Sequence, residues 1–103
     1  MQPRTVMWVD GAELAGQGPV EVVANPATEE PLAEVAAASA EQVDRAVAAA
    51  RRALPGWRRT PAGERGELLH GVAGWLRAHT AELGRLLTLE GGKPLVENTD
   101  EVG

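Results

Sequence analysis

The chain has 103 residues, 44% of them hydrophobic, and no cysteine, which suits one small domain and excludes the two or three that a large enzyme needs. Bulky apolar matter is scarce, because 18 residues are alanine, Leu plus Val number 22, and Ile, Phe and Tyr are absent. Ten basic against 15 acidic residues give a net charge of −5, a balance that argues against nucleic acid as a partner.

Without cysteine the chain has no disulfide, no thiolate metal site and no cysteine nucleophile. No run approaches the length of a membrane-spanning helix. Residues 1–30 carry Asp10, Glu13 and Glu21 where an export signal would have a basic start and an apolar core. The expected setting is therefore the cytoplasm, with no membrane partner.

The first third, residues 1–36, reads as strand and turn. Val6, Met7, Trp8 and Val9 form a short apolar run closed by Asp10-Gly11, a pair that tolerates positive φ at both central positions of a tight hairpin. A β-branched run from Val20 to Val23 leads into Asn25-Pro26, and a third short run from Leu32 to Val35 follows. Pro26 fixes its own φ and biases Asn25 away from helix, so Asn25 to Glu30 is a turn between two antiparallel strands. Such strands are marginal alone and should lie on something else.

Residues 39–102 read as three to four amphipathic helices. Ser39 and Gln42 have the spacing of a capping box, with Val43, Ala46, Val47, Ala50 and Leu54 on one apolar face that Pro55-Gly56 should end. Thr60-Pro61 then reads as N-cap and first-turn proline of a second helix with Leu68, Leu69, Val72, Trp75 and Leu76 on its face. Thr80 starts a third, carrying Leu83, Leu86 and Leu87 and ending at Gly91-Gly92, and Pro94 opens a short fourth with Leu95 and Val102 seven apart.

Gly66, Gly71, Gly74 and Gly84 fall inside the second and third helices, at about 1 kcal/mol each relative to alanine, so these helices need packing partners. The fourth is shorter than the ~12 to 15 residues at which isolated helices become marginal. The sequence is accordingly expected to stop in mid-element, the alternative being that Gly103 is a terminal helix-capping glycine.

Catalytic constellations are sparse. Ser39 is explained as a cap. His70 and His79 are nine apart and form no metal pair; His79 near a helix C-terminus suits the dipole. Glu64 with Glu67, and Glu97 with Glu101, read as solvated helix neighbours. Gly91-Gly92-Lys93 looks like a phosphate loop only superficially, since Leu87 stands five before Gly92 and Pro94 follows the lysine. Gly16-Gln17-Gly18 is followed by Glu21 where the dinucleotide fingerprint needs its third glycine. Arg51, Arg52, Arg58 and Arg59 form a basic cluster that reads as a solvated helix end.

The order of segments says more than any single residue. Val22-Val23-Ala24-Asn25-Pro26-Ala27-Thr28, then 38–47 (ASAEQVDRAV), then Trp57, Thr60-Pro61 and Glu64-Arg65, and last 88–95 (TLEGGKPL) together resemble the N-terminal portion of the NAD(P)-dependent aldehyde dehydrogenase superfamily, from about Trp8 to Val102. The resemblance implies an α/β fold, of which this chain is an N-terminal β-hairpin and helices from the cofactor-binding domain, with the catalytic domain absent. It implies NAD or NADP as cofactor of the whole family chain, an aldehyde as substrate, oxidation to a carboxylic acid, and assembly into dimers or tetramers. The family's catalytic cysteine, glutamate base, oxyanion asparagine and cofactor lysine lie beyond this sequence, so no catalytic or cofactor-binding residue is carried over, and Lys93 is not that lysine.

By position the resemblance also implies part of a sodium or potassium site, formed by the carbonyls of Val23 and Ala24 and the carboxylate of Glu101. One departure bears on it: the family usually has glycine where Glu29 stands. Either the turn forces Glu29 into positive φ at a cost of about 1 kcal/mol, or it takes another shape. The chain alone is expected to be an inactive scaffold that packs with the rest of a dehydrogenase or with copies of itself. The alternatives are a freestanding helical module or accessory chain that docks on a full-length dehydrogenase, and a small independent enzyme.

Overall fold

The computed structural model describes residues 5–102 and contains four strands followed by four helices. Residues 1–4 and the capping reading of Gly103 lie outside the described residues. Strands β1 (Met7–Val9) and β2 (Ala12–Leu14) form one two-stranded sheet; β3 (Val20–Ala24) and β4 (Pro31–Ala36) form another. The helices are α1 (Ala40–Arg59), α2 (Ala62–Ala78), α3 (Thr80–Gly91) and α4 (Leu95–Val102). None is long and apolar enough to cross a membrane. The chain divides into two compact units, one of residues 5–23 with 33–60, the other of 24–32 with 61–102.

In the first unit the Asp10-Gly11 turn behaves as its residues dictate. Both take positive φ, 54° and 77°, the geometry that matches strand twist, and Met7 pairs with Leu14, Trp8 with Glu13 and Val9 with Ala12. Behind the hairpin, Gly16 explains the glycine pair that failed as a dinucleotide fingerprint. A Cβ there would lie 2.0 Å from the carbonyl oxygen of Ala36, so only glycine lets the two backbones approach.

Helix α1 starts as its capping box requires, with Ser39 Oγ accepting from Gln42 N–H and Gln42 Oε1 accepting from Ser39 N–H. Its end differs from expectation. The helix runs through Pro55 to Arg59 and stops at Thr60. Pro55 forfeits one hydrogen bond without ending the helix, whereas Pro61 pushes Thr60 to an extended ψ of 127°. The rule for residues preceding proline applies, at the second proline. Thr60 therefore caps the C-terminus of α1, its Oγ1 donating to the carbonyl of Gly56, and does not cap α2, whose N-terminus has no side-chain cap bond.

The buried side of α1 also differs. Gln42 and Ala49 are buried and Ala46 half-buried, while Val43, Val47 and Leu54 stay exposed. The β1–β2 turn lies over small residues, Ala46, Ala49, Ala50 and Ala53, and an alanine surface admits a backbone more closely than a valine ridge. In the second unit, α3 and α4 make the closest helix pair. The Gly84 position faces Thr99, whose Oγ1 would stand 3.0 Å from an added Cβ.

Candidate functional site

The two segments that carry the most specific sequence signal, the Asn-Pro turn and the Gly-Gly-Lys-Pro corner, meet in the second unit. The turn is built by Asn25. Its side-chain Oδ1 accepts from Ala27 N–H at 2.9 Å, and its carbonyl accepts from Glu29 N–H at 2.7 Å, an Asx turn continued by a tight return. Asn25 N–H donates to Glu30 O at 2.9 Å and closes the loop. Glu29 has φ 62°, so the turn keeps the left-handed shape that suits glycine and the glutamate bears the strain.

The corner between α3 and α4 begins with Gly92, which caps α3 in the left-handed region at φ 76° and donates its N–H to Thr88 O. A Cβ at Gly92 would lie 2.8 Å from Pro26 Cγ. Dihedral and contact thus both demand glycine, and the contact seats the corner on the turn. Pro94 then opens α4, its carbonyl accepting from Glu97 and Asn98 N–H.

Asn98 holds the corner from inside. It is 3% exposed, and its Nδ2 donates to Thr88 Oγ1 at 3.0 Å and to Lys93 O at 3.2 Å. Its signal in the sequence is that Leu95, Asn98 and Val102 at i, i+3 and i+7 place a polar residue on an apolar stripe. Gln42 does more than complete the cap of α1. In the structure its Nε2 also donates to Ala15 O at 2.8 Å and its Oε1 accepts from Gln17 N–H at 2.9 Å.

Lys93 lies beside two carboxylates of α4. Its Nζ pairs with Glu101 and lies 3.7 Å from Glu97 Oε2. The hydrogen bond that Lys93 donates to Glu101 holds the lysine pKa above its usual value, so on the alkaline side the pair is lost only above the ordinary lysine range. Of the residues expected to hold an alkali ion, Val23 lies on β3 in the first unit, whereas Ala24 and Glu101 lie in the second. The Glu101 carboxylate pairs with Lys93.

Two other polar candidates, His79 and Arg52, have structural occupations. His79 caps α2, its Nδ1 2.8 Å from Trp75 O and its ring stacked on Trp75 at 4.1 Å between centroids. Arg52 of the basic cluster pairs with Asp10 at 3.0 Å, both exposed. Among the described residues no group of three or more His, Asp or Glu is placed to hold a metal ion. The arrangement joins turn and helices.

The family model that matches is that of the aldehyde dehydrogenase family, over residues 10–103. The N-succinylglutamate 5-semialdehyde dehydrogenase of Chromobacterium violaceum is 45% identical over 96 residues, 93% of this chain and 20% of that protein. Malonate-semialdehyde dehydrogenase 2 of Geobacillus kaustophilus is 43% identical over 95 residues, 92% of this chain and 19% of its own length. Among solved structures, succinate-semialdehyde dehydrogenase from Burkholderia pseudomallei superposes with a TM-score of 0.90 at 34% identity, covering 96% of this chain and 21% of the other. The chain spans about a fifth of the length of the curated relatives it matches.

Proposed function

Since the chain belongs to the aldehyde dehydrogenase family, we propose that it serves as the N-terminal scaffold of an NAD(P)-dependent oxidoreductase that converts an aldehyde to a carboxylic acid. The observation that carries this reading is the seat of Gly92 on Pro26, which unites the two signature segments of the resemblance in one small body. Hydride transfer from a thiol adduct needs a thiolate, donors for the developing oxyanion and a base for water. A chain without cysteine supplies none of the thiolate chemistry, so its contribution is to hold the cofactor domain that the remaining four-fifths of a relative provides.

Relatives also support a substrate class. Three of them are named for N-succinylglutamate semialdehyde, malonate semialdehyde and 3-sulfolactaldehyde, all aldehydes that carry a negative charge. An anionic aldehyde is the proposed substrate of the whole enzyme, with NAD and NADP both represented among its structural neighbours.

A chimera tests the reading. This segment replaces the matching first fifth of the Chromobacterium enzyme, and NADH or NADPH formation is followed with an anionic aldehyde. Activity in the chimera with none from the 103-residue chain alone is expected. Turnover by the chain alone, or a folded chimera without activity, overturns it. A second reading, a helical module that docks on another chain, is favoured by the exposed Leu68, Leu69, Val72 and Trp75 of α2. It requires a discrete oligomer with a sharp melt in light scattering and calorimetry.

A further inference from the structure

The corner that seats α4 on α3 already contains a cation. An alkali ion in the expected site would have Glu101 as its charged donor, the carbonyls of Val23 and Ala24 being neutral oxygens. That carboxylate is matched by Lys93 Nζ, and Glu97, one turn earlier on α4, lies on the same ammonium. The root of the lysine is fixed on both sides, by the left-handed Gly92 before it and by the Asn98 amide bonded to its carbonyl. A monovalent cation on so short a tether from a fixed root competes at high local concentration with a freely diffusing one of equal charge. The donor set therefore does not fit an alkali ion.

We infer that the Lys93 ammonium is the resident cation of this corner, taking at Glu101 the place that sodium or potassium would occupy. The side chain does by covalent attachment what an ion would do by mass action, so the corner needs no particular salt. The inference rests on the family reading only for the expectation of an alkali ion. The experiment below uses no enzyme activity, so its failure and that of the proposed function are distinguishable.

The full chain is melted in sodium, potassium and choline chloride at one ionic strength, and sodium-23 linewidths are measured at ambient temperature. Equal melting temperatures are expected, with the same linewidth for the wild type and Glu101→Gln. Lys93→Met should then unmask a melting temperature about 3 °C or more higher in an alkali salt than in choline, with sodium broadening that the added Glu101→Gln change removes. Lys93→Arg should remain indifferent. Alkali-specific stabilisation or broadening of the wild type that Glu101→Gln abolishes overturns the inference. So does a folded Lys93→Met chain indifferent to alkali ions, since the lysine then replaces nothing. Should Lys93→Met not fold, the wild-type linewidth against that of Glu101→Gln decides alone.

Discussion

Helices α1 and α2 are of similar length, 20 and 17 residues, and are secured in different ways. The first is capped at both ends by side chains of this chain and buries Gln42 and Ala49. The second is capped by side chains only at its C-terminus, by His79 and Thr80, has no side-chain cap at its N-terminus and no buried residue, and leaves Leu68, Leu69, Val72 and Trp75 exposed. It also contains Gly63, Gly66, Gly71 and Gly74, each with open space where a side chain would be. A helix with weak intrinsic propensity and an uncovered apolar face draws little stability from its own surroundings. The lesson is that helix formation and helix burial were separable in this sequence, and α2 has the first without the second.

Substitutions can break that contrast, and urea melts followed by circular dichroism measure them. Gln42→Ala should cost the most, about 3 kcal/mol, because one side chain satisfies Ser39 N–H, Gln17 N–H and Ala15 O, and its loss leaves all three unpaired near the core. Gly92→Ala should cost about 2 kcal/mol, from its left-handed φ and the clash with Pro26. That variant shows whether the unit containing α2 depends on its far corner.

Ser39→Ala should cost about 1 kcal/mol by removing one half of the capping box. In α2 the sign should reverse, since Gly71→Ala gains about 0.7 kcal/mol where nothing opposes the methyl group. Leu69→Ala should change stability by no more than about 0.5 kcal/mol, its side chain being 65% exposed. A loss of 2 kcal/mol or more at Leu69 would show that α2 is covered in solution and would erase the contrast.

Local rules made much of this fold legible. The Asp10-Gly11 turn, the Ser39–Gln42 box, the Gly92 cap and the start of α4 after Pro94 each follow from residues within a few positions of one another. What escaped was decided at longer range or by competition between equal signals. Two prolines could end α1, and the nearer one proved tolerable. Two adjacent faces of α1 could be buried, and the alanine face won over the valine face because a backbone hairpin needs room.

The same division runs through the candidate site. Glycine at position 92 was recognisable as a helix terminator, but its contact with Pro26 was invisible without the fold. Asn98 could have been found as the polar residue in an apolar stripe. The pairing of Lys93 with Glu101 spans eight positions, further than the neighbour rules for a single helix reach.

The two units also differ in when they can be completed. Gln42 gathers backbone groups 25 and 27 positions away, so everything it ties together has been synthesised once α1 begins. Pro26 must wait for Gly92, across nearly the whole helical part of the chain. Closing that longer loop costs more chain entropy and places the contact late in folding. As the chain leaves the ribosome, the hairpin unit can mature first, while the Asn-Pro turn stays without its seat until α3 and the Gly92 that caps it have emerged.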